Sequence, residues 1–195
     1  VVTSSMIAKS DEKTTNDLRI QEYNMLRLAS QIAAEDYIDI RFRMPSGEDY
    51  IVVSKKKVEI PQIDGVDSAT TIWLQLTEDE ILTMSNAIVE NYMIEGSVLY
   101  TAKYVEPGTQ DKATPTYVPS AEVQNLMRNN DSNIVETAKI ALLTRYNMNN
   151  DVRNNINNEK NAIDSDDAQT NVTNGVKKEV STAQEQRQSY LDALA

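Results

Sequence analysis

The sequence predicts an α+β fold, in which a small antiparallel sheet is packed with helices and a long helical arm follows. Three observations carry this prediction. Alternating apolar and polar residues, which suit strands, fill much of the stretch 37–105. A helix-start signal interrupts them at Thr77–Glu80. From Asn147 onward the apolar residues become sparse and recur at helical spacing. Such a grouping of strands and helices is typical of α+β domains.

Period-two alternation predicts four strands. They lie near residues 37–44, 50–54, 70–76 and 98–105. The turn-forming run Pro45–Asp49 separates the first two, so we expect a β-hairpin with a five-residue loop. Val58–Ile60 and Thr116–Val118 are shorter strand candidates.

Helices are predicted on both sides of these strands. Leu18, Met25 and Ile32 recur every seven residues, which favours one amphipathic helix over 11–35, preceded by a flexible N-terminus at 1–10. Thr77 and Glu80 can form a capping box that begins a helix at 78–94, packed across one face of the sheet. Helices over 120–128 and 132–146 complete a body that spans residues 11–146.

The composition excludes several classes of function. The chain has 30 acidic and 19 basic residues, a net charge of −11, which argues against direct binding of nucleic acid or of anionic lipid. It has no cysteine and no histidine, so thiolate metal sites, cysteine nucleophiles and Ser-His-Asp relays are impossible. We expect no signal peptide and no membrane span. An enzyme that uses only carboxylates, tyrosines and lysines remains as an alternative hypothesis.

Two acidic groups resemble sites superficially. Glu78 and Glu80 could act as a general acid and base, but a helix start explains both. Asp164–Asp167 lacks the Asp-x-Asp-x-Asp-Gly core of a calcium loop and suits a solvated helix cap. We therefore predict no enzyme activity, no catalytic residue, no metal and no cofactor.

The basic run and the aromatic residues each leave alternatives open. Lys55, Lys56 and Lys57 could contact phosphate, guard a strand end against edge-to-edge pairing, or contact an acidic neighbour such as another copy of the chain. Aromatic side chains near the central helix and strands could form a platform for a sugar or an exposed base, although core and interface packing is the simpler interpretation. These are Trp73, Tyr92, Tyr100, Tyr104 and Tyr117.

The segment 147–195 is too poor in apolar residues to bury a core of its own. Its ordering entropy is not offset by so few apolar side chains, and polar helices are marginal alone in water. Their spacing nevertheless forms a helical stripe, with a break predicted at Asp164–Asp167, so we expect the segment to become ordered on a partner. The predicted interface comprises Met148, Val152, Ile156, Ile163, Val172, Val176, Val180, Tyr190, Leu191 and Leu194, together with Lys55–Lys57.

In style, the chain resembles virion structural proteins of tailed bacteriophages. The likeness consists of an α+β body, a polar helical arm, an asparagine- and threonine-rich composition and the lack of cysteine and histidine. It covers most of the chain without a diagnostic motif, and Thr77–Gln110 is the stretch to compare first. The resemblance implies a head–tail connector, adaptor or portal-associated ring protein, or an auxiliary head protein, that forms homo-oligomers and binds other virion proteins. The expected location is the virion. The alternative is a cytoplasmic adaptor whose arm folds on one protein target.

Overall fold

The computed structural model describes residues 16–63, 65–129 and 133–194. A central sheet of five antiparallel strands carries the fold, and a two-stranded hairpin lies apart from it. The strands are β1 (Arg19–Tyr23), β2 (Tyr37–Arg43), β3 (Asp49–Glu59), β4 (Gln62–Ile63), β5 (Val66–Asp67), β6 (Ile72–Leu76) and β7 (Val98–Lys103). The helices are α1 (Glu78–Met93), α2 (Ala121–Arg128), α3 (Glu136–Met148), α4 (Asn150–Asn161) and α5 (Ser165–Ala193). The predicted α+β class is confirmed.

The sheet has the order β1-β6-β3-β2-β7, with β3 in the middle. The predicted hairpin is confirmed as β2 and β3, and its loop is closed by the Met44 N–H, which donates to the Glu48 carbonyl at 2.8 Å. β3 is longer than predicted, because it continues past a register shift into Val58 and Glu59. Thr116 and Tyr117 do not form a strand, but both backbone N–H groups donate to the Ile51 carbonyl at 2.9 Å.

The prediction of one helix over 11–35 is wrong for the described residues of that range. Residues 19–23 form β1, which pairs with β6, and the chain from Asn24 to Asp36 is irregular. The seven-residue spacing has another cause, since Met25, Leu28 and Ile32 turn into the core from this irregular segment. Pairing with β6 therefore overrides local helix propensity. Residues 1–15, which include the predicted flexible N-terminus, lie outside the described residues.

α1 begins where the sequence predicts. The Thr77 N–H donates to the Glu80 carboxylate at 3.0 Å, as expected of the capping box. The helix packs against β3, β6 and β7, and its buried residues include Met84, Ala87 and Glu90. It thus lies across one face of the sheet, as expected, and presents a carboxylate to the protein interior.

Two hydrophobic clusters form the interior. The larger lies between the sheet and α1, and the smaller joins Val118 to side chains of α2 and α3, among them Met127, Leu142 and Tyr146. Val152 of α4 packs against both clusters. α4 therefore connects the sheet to the helical part of the body.

The C-terminal segment divides into two helices slightly before the predicted break at Asp164–Asp167, since Ser165 and the two aspartates after it already belong to α5. α4 and α5 are separated at 162–164, and Asp164 caps α5 by accepting a hydrogen bond from the Asp166 N–H at 2.9 Å. α2 begins at the predicted cap Ser120. α3 begins at Glu136, and Ser132, its predicted start, lies outside the described residues.

Candidate assembly surface

The first part of the predicted partner-facing stripe packs inside the chain. Ile156 is fully buried in the main cluster, and Val152 and Ile163 pack against it. Polar residues of α4 also attach it to the body, since the Asn155 amide donates to the Glu48 carboxylate at 2.6 Å. The expectation that these three apolar residues lie on another chain is therefore corrected. A count of apolar residues missed the polar contacts that hold α4 in place.

A buried cluster of charges joins α4 to α1. The Glu90 carboxylate is fully buried and lies 2.7 Å from a guanidinium nitrogen of Arg153 and 3.4 Å from Nζ of Lys160. The Tyr117 hydroxyl donates to the same carboxylate at 2.6 Å. Burial, followed by the charge of Glu90, raises the pKa of Tyr117 well above its ordinary value, so this hydroxyl stays a donor. The cluster fixes α4 on the body.

α5 packs on α1 through small and polar side chains. Gly175 faces the ring of Tyr92, where a Cβ would lie 2.5 Å from two ring carbons. One turn later, the Glu179 carboxylate accepts a hydrogen bond from the Tyr92 hydroxyl at 3.0 Å. Burial, followed by the charge of Glu179, raises the pKa of Tyr92 above its ordinary range. A cavity of about 490 Å³ lies beside these contacts.

The distal end of α5, residues 187–194, extends past its attachment. The last hydrogen bond from α5 to the body, among the described residues, is made by Gln186, whose amide donates to the Thr70 hydroxyl at 2.6 Å. Every side chain from Arg187 to Leu194 is exposed. Tyr190, Leu191 and Leu194 are therefore presented to solvent, as is Met148, which is 80% exposed at the end of α3.

Apolar residues of α5 continue along a second face, here called the outer stripe. It consists of Val176, Val180, Leu191 and Leu194. At 3.6 residues per turn these four positions fall within about 60° of one another, roughly a quarter turn from the face that holds Gly175 and Glu179. Val176 and Val180 are 44% and 49% exposed, and Val172 is half-buried. The later part of the predicted interface thus remains open to a partner.

The lysine run lies within β3, in the middle of the sheet, so the guard interpretation does not apply. Lys56 pairs with Glu80, and Nζ of Lys57 lies 2.6 Å from the Glu35 carboxylate. Lys55 has a positive φ of 50°, and its ammonium donates to the Gln110 carbonyl at 2.6 Å. Each of the three amines therefore has a partner within the chain.

The aromatic residues do not share one surface. Tyr117 and Tyr104 are buried, and Phe42 meets Tyr117 edge to face with ring centroids 5.8 Å apart. Tyr92 lies under α5. The Trp73 indole N–H donates to the Glu22 carboxylate at 2.8 Å. These separate contacts favour packing over a shared platform.

The acidic residues take part in helix starts and ion pairs. Glu80 caps α1 and pairs with Lys56 and, at 3.6 Å, with Lys112. In the part of the chain that the structure describes, no group of three or more acidic side chains is placed to hold a metal ion. None of the helices described is both long and apolar enough to cross a membrane. Comparison with known protein families, curated proteins and solved structures gave no match.

The first turn of α1 gives a pH-dependent prediction. Burial raises the pKa of Asp79, and the hydrogen bond from the Thr77 hydroxyl opposes the shift only in part. A carboxylic acid whose pKa is higher in the folded state than in the unfolded chain destabilises the fold when it is ionised. This destabilisation is absent at pH values below the unfolded-state pKa and fully present at pH values above the folded-state pKa. Asp79→Asn should therefore raise the free energy of unfolding at pH 7, with a gain that fades towards pH 3.

Urea denaturation between pH 3 and pH 8 measures this gain. Asp192→Asn, on the exposed distal end of α5, is the control and should change the free energy of unfolding little at any pH. A gain from Asp79→Asn that is constant with pH, or a loss at pH 7, would contradict the prediction.

Proposed function

We propose that this chain is a structural subunit that assembles with further copies of itself through α5, as a component of a tailed-bacteriophage virion. The observation that carries the proposal is the outer stripe together with the distal end of α5. Both present apolar side chains to solvent, and the distal end does so beyond the last hydrogen bond to the body. Exposed apolar side chains aligned on one face of a helix are typical of protein–protein contact sites.

Because α4 is held on the body, we take the arm that contacts a neighbouring subunit to begin at α5. The Glu90 cluster and Ile156 hold α4 on the body, whereas α5 follows a separate cap at Asp164. A firmly held base and an apolar outer face allow the helix to bridge two subunits without unfolding of the body. Connector, adaptor and portal-associated ring proteins, and auxiliary head proteins, are the virion classes that this arrangement suits.

The alternative is a cytoplasmic adaptor whose α5 binds one protein target. The same exposed apolar residues support it, but the number of copies differs between the two functions. A ring or lattice requires self-association, and an adaptor requires a strict one-to-one complex.

The mass of the purified chain in solution tests the proposal. We expect a mass well above the 21.9 kDa of one copy, rising with concentration, and rings or lattice patches in electron micrographs. Changing all four residues of the outer stripe to serine should lower the mass well below that of the parent chain and leave the circular dichroism spectrum unchanged.

The matched control changes exposed apolar residues elsewhere to serine, at Val66, Val105 and Ile140. It should assemble like the parent chain. A parent chain that is monomeric at high concentration, or an outer-stripe variant that assembles normally, would overturn the proposal.

A further inference from the structure

The two edge strands of the central sheet differ in whether another part of the chain covers them. At the β7 edge, the chain itself covers the strand. The Arg27 N–H donates to the Leu99 carbonyl at 2.9 Å, the Thr101 N–H donates to the Arg27 carbonyl at 3.1 Å, and the Ala29 N–H donates to the Thr101 hydroxyl at 3.0 Å. This edge is therefore closed to further strand pairing.

The opposite edge is formed by β1. β1 pairs with β6 in an unbroken register from Arg19 to Tyr23, and among the described residues no backbone group is bonded to its other side. The strand has no proline and no bulge, two of the devices that block edge pairing in other sheets. An open edge of this kind is a template for another extended segment.

Apolar side chains lie beside this open edge. Ile20 is 59% exposed, and Trp73 on the neighbouring strand is 36% exposed. Both lie on the face of the sheet opposite the core, because they alternate with Gln21 and Leu74, whose face carries the buried residues of β6. Ile20 thus adds an exposed apolar side chain to the open edge, and Trp73 lies diagonally across from it on the same face.

We propose that β1 pairs antiparallel with β1 of a second copy, with Ile20 at the two-fold axis. This inference rests on the proposed self-assembly and names a second contact for it. In this register the partner's Ile20 lies opposite Ile20, the partner's Gln21 lies opposite Arg19, and the partner's Glu22 lies opposite Leu18. No like charges meet. A two-fold axis at Gln21 would instead place Ile20 opposite a glutamate.

The occupant is a second copy because the strand is complementary to itself. A two-fold contact uses the same patch on both subunits, and this register satisfies that condition while it brings the two exposed Ile20 side chains into contact. Residues directly opposite each other in an antiparallel pair share a face of the sheet. The two sheets therefore join into one continuous sheet, and α1 lies on the same side of it in both copies. The net charge of −11 on each copy opposes the contact, so salt should favour it.

The lack of cysteine in the chain allows a direct test. Opposed residues of antiparallel strands have Cα atoms about 4.5–5.5 Å apart, within the range that a disulfide spans. Under mild oxidation at 0.15 M salt or above, Ile20→Cys should form a covalent dimer as its main product. Gln21→Cys on the same strand, and Val105→Cys at a distant site that is 83% exposed, should remain mostly monomeric.

Each outcome decides the inference. Ile20→Cys dimers that form no faster than those of Val105→Cys overturn the β1 pairing, and preferential crosslinking of Gln21→Cys overturns the register. Failure here, with a mass that still depends on the outer stripe, contradicts the β1 contact alone. A chain that neither crosslinks nor exceeds the mass of one copy contradicts the proposed function as well.

Discussion

Replacing Glu90 with glutamine should lower the free energy of unfolding by about 3–5 kcal/mol, the cost of breaking a buried ion pair from one side. The amide keeps the shape of the side chain and can still accept from Tyr117. It carries no charge, so Arg153, which is buried, and the nearby Lys160 lose their counter-ion. Desolvation of the uncompensated guanidinium is the source of the loss.

Urea denaturation at pH 7 measures this change. Glu35→Gln is the matched control, since Glu35 pairs with Lys57 at the surface and such pairs contribute about 0–1 kcal/mol. A second variant, Glu90→Leu with Arg153→Met, replaces the ion pair by apolar groups and should recover part of the lost stability. A loss below about 1 kcal/mol for Glu90→Gln would show that water reaches the cluster.

Gly175→Ala should destabilise the protein by about 1–3 kcal/mol, the usual cost of an overpacked contact. Within a helix, alanine is ordinarily favoured over glycine by about 0.8–1.0 kcal/mol. Here the new methyl group would lie 2.5 Å from Cγ and Cδ1 of Tyr92, which is held by its hydrogen bond to Glu179. The ring or α5 must move, and we expect faster amide hydrogen exchange in α5.

Two comparisons separate this clash from a general effect of alanine. Gly108→Ala meets no atom within 4 Å and should leave stability nearly unchanged. In a Tyr92→Ala background the clash is absent, so Gly175→Ala should become stabilising, in line with helix propensity. A gain in stability from Gly175→Ala in the parent chain would show that α5 does not rest on Tyr92.

The strands and α1 could be predicted because their signals are local. Alternation in β2 and β7 and the capping box at Thr77 each need only a few neighbouring residues. β1 could not be predicted in this way. Its five residues are polar apart from Ile20 and Tyr23, and only pairing with β6 makes them a strand. The heptad spacing that begins at Leu18 therefore indicated a helix that pairing in three dimensions excludes.

The candidate surface was predicted in part. The break before α5 and the exposure of Val176, Val180 and the distal end agree with the sequence pattern. The burial of Ile156 could not be predicted from the sequence pattern, because the burial of α4 depends on Glu90, which lies 66 positions earlier in the chain. One local signal was present, since Glu90 follows Ala87 and Met84 on the buried side of α1. A carboxylate at such a position requires a cation from elsewhere in the fold.

The position of Val152 between the two hydrophobic clusters has a consequence for folding. A helical unit built from α2 and α3 could in principle unfold alone, because its own cluster is small. Val152 packs against that cluster and against the larger one, and its helix is held by Glu90. Loss of either cluster therefore removes packing from the other. Two interiors that look separate should melt as a single cooperative unit.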